Sequence, residues 1–259
     1  MVERIAIFAA LPWEERTARR SVAGVKRVHA AAWPAFAGQA STREVWLVRT
    51  GIGEKRAQEA AEAIANAHRF DAFLSTGCAA GLVPELAPGH VVVADAVYGS
   101  DGEQRFGGDV ELRRQIEGAA SLAGVPLSTG SYTCGALLAT KEDKRRAAAR
   151  GAVVAEMEGA AIARVALRAR IPFGAVRAVL DPFDVELRNT VGLVDPATGR
   201  VRPKELLHKI ARPRTWSELR AMQRMMRAAR ISLERVFEVF LLEHAVKLAS
   251  EEAKVSQGV

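Results

Sequence analysis

Short apolar runs alternate along the chain with longer segments in which apolar residues recur at helical spacing. This alternation is typical of an α/β fold and predicts a central mixed, largely parallel β-sheet flanked by helices. Runs rich in Val, Ile and Ala predict buried strands at 4–10, 45–49, 72–76, 91–94, 126–130, 153–155 and 173–180. Helices are predicted at 12–19, 54–67, 110–123 and 157–169.

The pattern changes after the pair Asp181-Pro182, which ends the last predicted strand because the residue before proline is pushed away from helix. Residues 187–202 are expected to form a loop and residues 203–210 a short helix. From Thr215 to about Leu248 apolar residues return at helical spacing and predict a long helix. We therefore expect one α/β domain over residues 1–200 and a basic helical extension over residues 201–250.

Charge is concentrated in that extension. The net charge of the chain is +7, and the stretch from Arg202 to Arg235 holds ten Lys/Arg against three Glu, which is 10 − 3 = +7. The rest of the chain is balanced and shows no nucleic-acid recognition motif, so no nucleic acid is expected as a partner. Two interpretations of the basic helix stay open. Its apolar stripe could dock on the domain or on a partner subunit, or the helix could rest on an anionic membrane.

Cysteine content and hydropathy bear on the compartment. The two cysteines, Cys78 and Cys134, do not suggest a disulfide scaffold and fit a reducing compartment. Neither belongs to a Cys/His cluster with metal-ligand spacing, so no metal site is predicted. The first sixteen residues lack the long apolar stretch of a signal peptide, and no run reaches the roughly 18 apolar residues of a membrane span. A soluble, cytoplasmic protein is expected.

Three acidic residues follow predicted strands, where α/β enzymes usually gather their reactive groups: Glu14, Glu158 and Asp181. Each taken singly also fits a structural role, since acids favour the first turn of a helix and Asp-Pro is a common turn. The glycine segments 51–53 and 77–81 are equally ambiguous. They would let the backbone approach a ligand closely, or serve the turns alone.

A succession of motifs gives these residues a common context. Ala10-Leu-Pro-Trp-Glu14, Thr50-Gly-Ile-Gly53, Ser75-Thr-Gly-Cys-Ala-Ala-Gly-Leu82, Ala155-Glu-Met-Glu-Gly-Ala-Ala-Ile162 and Val176-Arg-Ala-Val-Leu-Asp181 occur in this order. The succession resembles the nucleoside phosphorylase superfamily, closest to its methylthioadenosine/S-adenosylhomocysteine nucleosidase branch. It covers residues 4–185. The tail from Leu193 to Pro203, with the Arg-rich helix after it, is similar to the hopanoid-associated phosphorylase subgroup, to which removal of adenine from adenosylhopane is assigned.

The resemblance implies catalytic roles for three residues. Asp181 would be the general acid that protonates N7 of the purine, and partial burial beside Leu180 would raise its pKa. Glu14 would orient and deprotonate the attacking water. Arg177 would hold that water or pair with an acid, and a structural salt bridge with Glu156 or Glu158 is the alternative.

The resemblance also implies substrate contacts. Glu158 would accept hydrogen bonds from the ribose 2′- and 3′-hydroxyls. Met157 would pack against the sugar, or serve core packing alone. Further contacts are implied for Glu156, Gly51, Gly77 and Cys78. A hydroxyl residue commonly stands in the family at the position of Cys78, so the thiol could be merely a small buried side chain. The adenine-facing segment is expected near residues 131–134.

Water and phosphate both remain possible nucleophiles. Phosphorylases typically carry an arginine just before the glycine-rich loop, whereas Ser75 stands here, and the charge of Glu14 would repel phosphate. Both observations favour hydrolysis, although Arg16, Arg49 or an arginine from a neighbouring subunit could bind phosphate.

The expected substrate is a purine nucleoside, with adenosylhopane favoured and methylthioadenosine or S-adenosylhomocysteine as alternatives. No cofactor is implied, and a homo-oligomer, namely a dimer, is expected. A purine-binding module without catalysis is the rival class, and it would be expected to lack the acids.

Overall fold

The computed structural model of the chain describes residues 4–30, 33–186, 195 and 214–256. Ten strands lie in these ranges: β1 (Arg4–Ala9), β2 (Ala23–Ala30), β3 (Trp33–Ala40), β4 (Arg43–Arg49), β5 (Ala72–Gly81), β6 (Val91–Tyr98), β7 (Arg105–Gly107), β8 (Leu127–Cys134), β9 (Val154–Glu156) and β10 (Phe173–Asp181). Six helices accompany them: α1 (Pro12–Arg19), α2 (Glu54–Ala67), α3 (Val110–Leu122), α4 (Lys141–Ala148), α5 (Gly159–Ala169) and α6 (Arg214–Ser256).

The strands form one mixed sheet in the order β10-β6-β8-β9-β5-β1-β4-β3-β2, with β7 paired to β6. A further pairing joins β5 to β10, so that β10, β6, β8, β9 and β5 close into a ring. The centre is parallel, because β1 pairs in parallel with β4 and β5, and β5 pairs in parallel with β10. Antiparallel pairs add β2 and β3 beyond β4. The predicted mixed sheet flanked by helices is confirmed.

Two apolar clusters cover the two faces of the sheet. Successive residues of β1 enter opposite clusters, with Ala6 and Phe8 in one and Ile5 and Ile7 in the other. Helices α2 and α5 contribute to the first cluster, and α3 and α6 to the second. Because a central strand is buried on both faces, it appears in the sequence as an unbroken apolar run, which is why β1 was predictable.

The C-terminal helix α6 docks on the domain. Its buried residues Ala229, Leu233, Val236 and Phe240 belong to the second cluster, and the helix contacts α1, α3 and β10. The arginines at 220, 224, 227 and 230 are exposed. The docked stripe is therefore not available for insertion into a membrane. In the described ranges no helix is long and apolar enough to cross a bilayer.

Some predictions fall outside the described residues. They are the loop at 187–202, apart from Asp195, the helix at 203–210, and the boundary between residues 200 and 201. The tail motif from 193 to 203 lies there as well. These stay predictions.

Other elements differ from the sequence-based expectation. The segment 77–81, interpreted as a loop, continues β5, because β10 pairs with Gly77, Cys78 and Ala79 and β9 pairs with the two residues after them. Strand pairing outweighs the low strand propensity of glycine here. Strands β2 and β3 were missed since charges and half-exposed positions interrupt their alternation. Helix α4 was missed because six of its eight residues are charged, so it shows no apolar stripe.

Candidate functional site

A cleft opens where β1, β5, β9 and β10 end, and its space, including the open mouth, is about 660 Å³. Four acidic residues line it: Glu14 from α1, Glu156 from the end of β9, Glu158 from the connection between β9 and α5, and Asp181 from the end of β10. The other lining residues are small or apolar: Ala10, Leu11, Ile52, Cys78, Ala79, Ala80, Ala136, Leu137, Leu138, Ala155, Met157 and Leu180. The three acids that the sequence singled out thus share one cleft.

Glu14 is held by two backbone amides. Its Oε2 accepts a hydrogen bond from the N–H of Leu11 at 2.8 Å, and its Oε1 accepts one from the N–H of Cys78 at 2.9 Å. Gly77 makes this fit possible, since a Cβ at that position would lie 2.8 Å from Oε1. Burial raises the pKa of Glu14 above its ordinary value, against the opposing effect of these amides. A carboxylate has about four acceptor positions, so roughly two remain for a ligand or a water.

Glu158 directly precedes α5 and accepts a hydrogen bond from the N–H of Gly53 at 2.7 Å. Gly53, which has a φ of 101°, thereby connects the loop before α2 to the cleft. Burial, together with the neighbouring charge of Glu156, raises the pKa of Glu158 to about 8. The second oxygen is not used by this amide and has acceptor positions for a ligand.

Glu156 and Arg177 form a buried ion pair beneath the cleft. Nη2 of Arg177 lies 2.5 Å from Oε2 of Glu156 and donates to Oγ of Ser75 at 2.8 Å. Glu156 also accepts the backbone N–H groups of Glu158 and Gly159 at 2.8–3.0 Å, which fixes the start of α5. Burial alone would lower the pKa of Arg177, but the surrounding carboxylates, Glu156 foremost, raise it above its ordinary value. This is the pairing with an acid that was one of the two interpretations of Arg177.

Asp181 has a cationic partner that the sequence analysis missed. Nζ of Lys144, on α4, lies 2.8 Å from Oδ2 of Asp181, and both side chains are buried. Burial raises the pKa of Asp181 to about 6 in spite of the lowering effect of Lys144. The Thr140-Lys-Glu-Asp143 capping box signals the start of α4. No sequence signal, however, distinguishes Lys144 from the exposed lysine at 141.

The remaining predicted contacts fall into two groups. Cys78 and Met157 line the cleft, and burial raises the pKa of the Cys78 thiol well above its ordinary value, so the thiol is neutral. Gly51, with a φ of 76°, and Gly77 lie in the supporting backbone and are not among the lining residues. Residues 131–134, expected to face adenine, are not among the lining residues of this cleft, whereas residues 136–138, which follow β8, are. That residues 131–134 face adenine stays a prediction.

The fold and the cleft together define an α/β protein whose sheet gathers carboxylates from several strand ends into one pocket. The sequence model of the phosphorylase superfamily matches residues 4–198. The chain therefore belongs to the phosphorylase superfamily, and the resemblance seen in the motifs is confirmed at that level. It is an enzyme of the class that includes nucleosidases and nucleoside phosphorylases.

Curated relatives are 5′-methylthioadenosine/S-adenosylhomocysteine nucleosidases. The protein from Colwellia psychrerythraea is 27% identical over 202 residues, which cover 69% of this chain and 83% of the relative. The one from Tolumonas auensis is 24% identical over 209 residues, covering 72% of this chain and 90% of the relative.

Solved structures share the fold. The nucleosidase of the same type from Neisseria meningitidis, in complex with methylthio-immucillin-A, has a TM-score of 0.71 at 21% identity and covers 92% of this chain and 98% of its own. The native futalosine hydrolase of Helicobacter pylori has a TM-score of 0.71 at 16% identity, covering 93% and 98%.

Proposed function

We propose that the protein hydrolyses the N-glycosidic bond of a purine nucleoside and releases adenine. The observation that carries this proposal is the meeting of Glu14, Glu158 and Asp181 in one cleft whose described lining includes no Lys or Arg. The names of the curated relatives support the same chemistry.

The three acids would divide the reaction among them. Asp181 donates its proton to N7, so that the bond between C1′ and N9 breaks with its electron pair moving into the base. Glu158 binds the ribose hydroxyls, and its charge stabilises the sugar cation that develops. Glu14 takes a proton from water as the water oxygen bonds to C1′, which is the logic of glycoside hydrolysis with a nitrogen leaving group. The products are adenine and a free sugar.

Water suits this cleft better than phosphate does. Of the two arginines of this chain named as possible phosphate ligands, Arg49 is engaged elsewhere, since its Nη2 lies 2.6 Å from Glu15 Oε2. Arg177, the arginine nearest the acids, is paired with Glu156. Arg16 is exposed and is not a lining residue. A dianion would also face carboxyl groups in the lining, and each one that is ionised repels it strongly in a shared, partly buried site. Phosphorolysis is the alternative, and it would need an arginine from another subunit.

The deciding experiment follows product formation with and without phosphate. We expect the purified protein in phosphate-free buffer to release adenine and a free reducing sugar at a rate that added phosphate does not raise. Release that requires phosphate, with a ribose 1-phosphate type of product, would refute hydrolysis. No release from any purine nucleoside would favour a purine-binding module that lacks catalysis.

The 5′ substituent is the finer part of the proposal. Adenosylhopane is our favoured substrate, supported by the resemblance of the tail and by the apolar wall at Ile52, Leu137 and Leu138, where Leu137 is 49% exposed. Methylthioadenosine and S-adenosylhomocysteine are the alternatives that the relatives suggest. Comparing kcat/KM for the three nucleosides ranks them, and a lower value for adenosylhopane than for the other two would overturn the preference.

Two further proposals concern what the protein binds, namely a membrane surface and a second copy of the chain. The exposed arginines of α6 would contact an anionic membrane that carries a lipid-linked substrate, and the protein would be a homo-oligomer, namely a dimer. Flotation with phosphatidylglycerol vesicles, compared with neutral vesicles, tests the first proposal. Light scattering of the purified protein tests the second. Equal binding to both vesicle types, or a monomeric mass, would contradict the respective proposal.

A further inference from the structure

Lys144 differs from the rest of its helix. The side chains of Glu142, Arg145 and Arg146 on α4 are 63–69% exposed, whereas that of Lys144 is 0% exposed. Removing an ammonium group from water is costly. A buried ammonium group is therefore found in folded proteins where oxygen partners replace the water. The contacts of Lys144 therefore indicate what this burial achieves.

Four oxygen atoms surround the Lys144 ammonium, and all belong to one segment of chain. Nζ lies 2.8 Å from Oδ2 of Asp181 and donates to the carbonyls of Pro182 at 2.7 Å and Val185 at 2.9 Å. The carbonyl of Asp181 is a longer contact at 3.3 Å. The lysine thus binds both the carboxyl group and the turn that carries it.

We propose that Lys144 is a positioning residue for Asp181: it orients the carboxyl group in the wall of the cleft and stabilises the carboxylate that remains once the proton has moved to the base. This inference rests on the proposed function, in which Asp181 is the general acid. Before the transfer the pair consists of a neutral acid beside an ammonium group, and afterwards it is an ion pair.

The two influences on Asp181 oppose each other. Burial favours the protonated acid and raises the pKa of Asp181 to about 6, whereas the ammonium group makes that proton easier to give up. An opposite charge within about 4–6 Å typically lowers an Asp pKa by about one to three units. The other titratable groups on the cleft are Cys78 on β5, which is neutral, and the carboxyl groups of Glu14, Glu156 and Glu158. Lys144 is the cation that faces Asp181 in the described chain.

A direct titration tests the electrostatic part without any substrate. Labelling aspartate with ¹³C at the side-chain carboxyl carbon gives an NMR signal for Asp181. The signal is assigned by its loss in Asp181→Asn. We expect Lys144→Met to raise the midpoint of that signal by about one unit or more, and Lys144→Arg to leave it within a few tenths. An unchanged midpoint in Lys144→Met would overturn the proposal, whether or not the protein cleaves nucleosides.

A comparison of leaving groups tests the catalytic part. At pH 5 Asp181 is protonated in both proteins, so a slower release of adenine by Lys144→Met reflects a weaker or misplaced acid. The loss should lie between about tenfold and the roughly 10²–10⁴-fold that general acid catalysis contributes. Cleavage of 4-nitrophenyl riboside, whose leaving group needs no proton, should change less than threefold. Equal losses on both substrates would show that Lys144 only holds the fold.

Matched variants complete the experiment. Lys141→Met removes the exposed lysine of the same helix, which is paired with Asp184, and should leave both readouts unchanged. If Lys144→Met does not fold, Lys144→Gln removes the charge and keeps a hydrogen-bond donor, and the same shift and the same substrate dependence are expected of it. A wild-type protein that releases no adenine would refute the proposed function, whereas the NMR shift would still decide the role of Lys144.

Discussion

Replacing Arg177 by Met separates the structural from the catalytic interpretation of this residue. The arginine side chain is 1% exposed and its partner Glu156 is 0% exposed, so the substitution would leave a carboxylate without its cation in the interior. Breaking a buried pair in this way typically costs about 3–5 kcal/mol. Glu156 keeps two backbone N–H donors, from Glu158 and Gly159, which places the expected loss near the lower end, at about 3 kcal/mol.

Urea unfolding followed by tryptophan fluorescence measures this loss. With a Tm change of about 2–4 °C per kcal/mol for a chain of this size, the melting temperature should also fall by roughly 6–12 °C. The double variant Glu156→Gln/Arg177→Met removes the uncompensated charge and should recover part of the stability. Arg4→Met provides the control, since its pair with Glu44 has a similar length of 2.7 Å but side chains 37% and 30% exposed, and a surface pair contributes at most about 1 kcal/mol. A loss below 1 kcal/mol for Arg177→Met would refute the structural role.

Two further predictions concern the carboxyl groups of the cleft. Gly77→Ala should lower kcat by about a hundredfold, because the new Cβ, 2.8 Å from Oε1, would displace Glu14 and the backbone φ of 142° disfavours a side chain. Steady-state kinetics checks this, with a far-UV circular dichroism spectrum to compare the folding of the two proteins. An unchanged kcat would contradict the prediction. In the proposed mechanism Asp181, with a pKa of about 6, acts when protonated, and Glu158, with a pKa of about 8, acts when ionised. The pH profile of kcat/KM should therefore be flat between about pH 6 and pH 8. It should fall at higher pH as Asp181 loses its remaining protonated fraction, and at lower pH as Glu158 becomes neutral. Glu158→Gln should move the fall at low pH to lower pH, where the ionisation of the base Glu14 sets it, and a fall that stays at the wild-type pH would contradict the assignment.

The acids of the site were accessible to sequence analysis because each follows a strand or opens a helix. Glu14 lies in the first turn of α1, the helix that follows β1, and Asp181 is the last residue of β10, so the common sheet brings them to one edge. Lys144 was not accessible in this way. It lies on a helix without an apolar stripe, and its burial depends on the turn after β10 folding over it. The partners of Glu158 illustrate the same limit, since Gly53 is 105 residues away in the chain.

Local pattern determined most of the alternation of strands and helices, the apolar stripe of the last helix and the position of three acids after strands, since periodicity and strand ends are properties of neighbouring residues. The succession of motifs gave those acids a common context. Only the folded chain decided that β5 continues through its glycines, that Arg177 is committed to Glu156, and that an ammonium group stands behind Asp181. The physical reason is that pairing, burial and charge compensation depend on contacts between residues far apart in sequence, and such contacts leave no periodic signal.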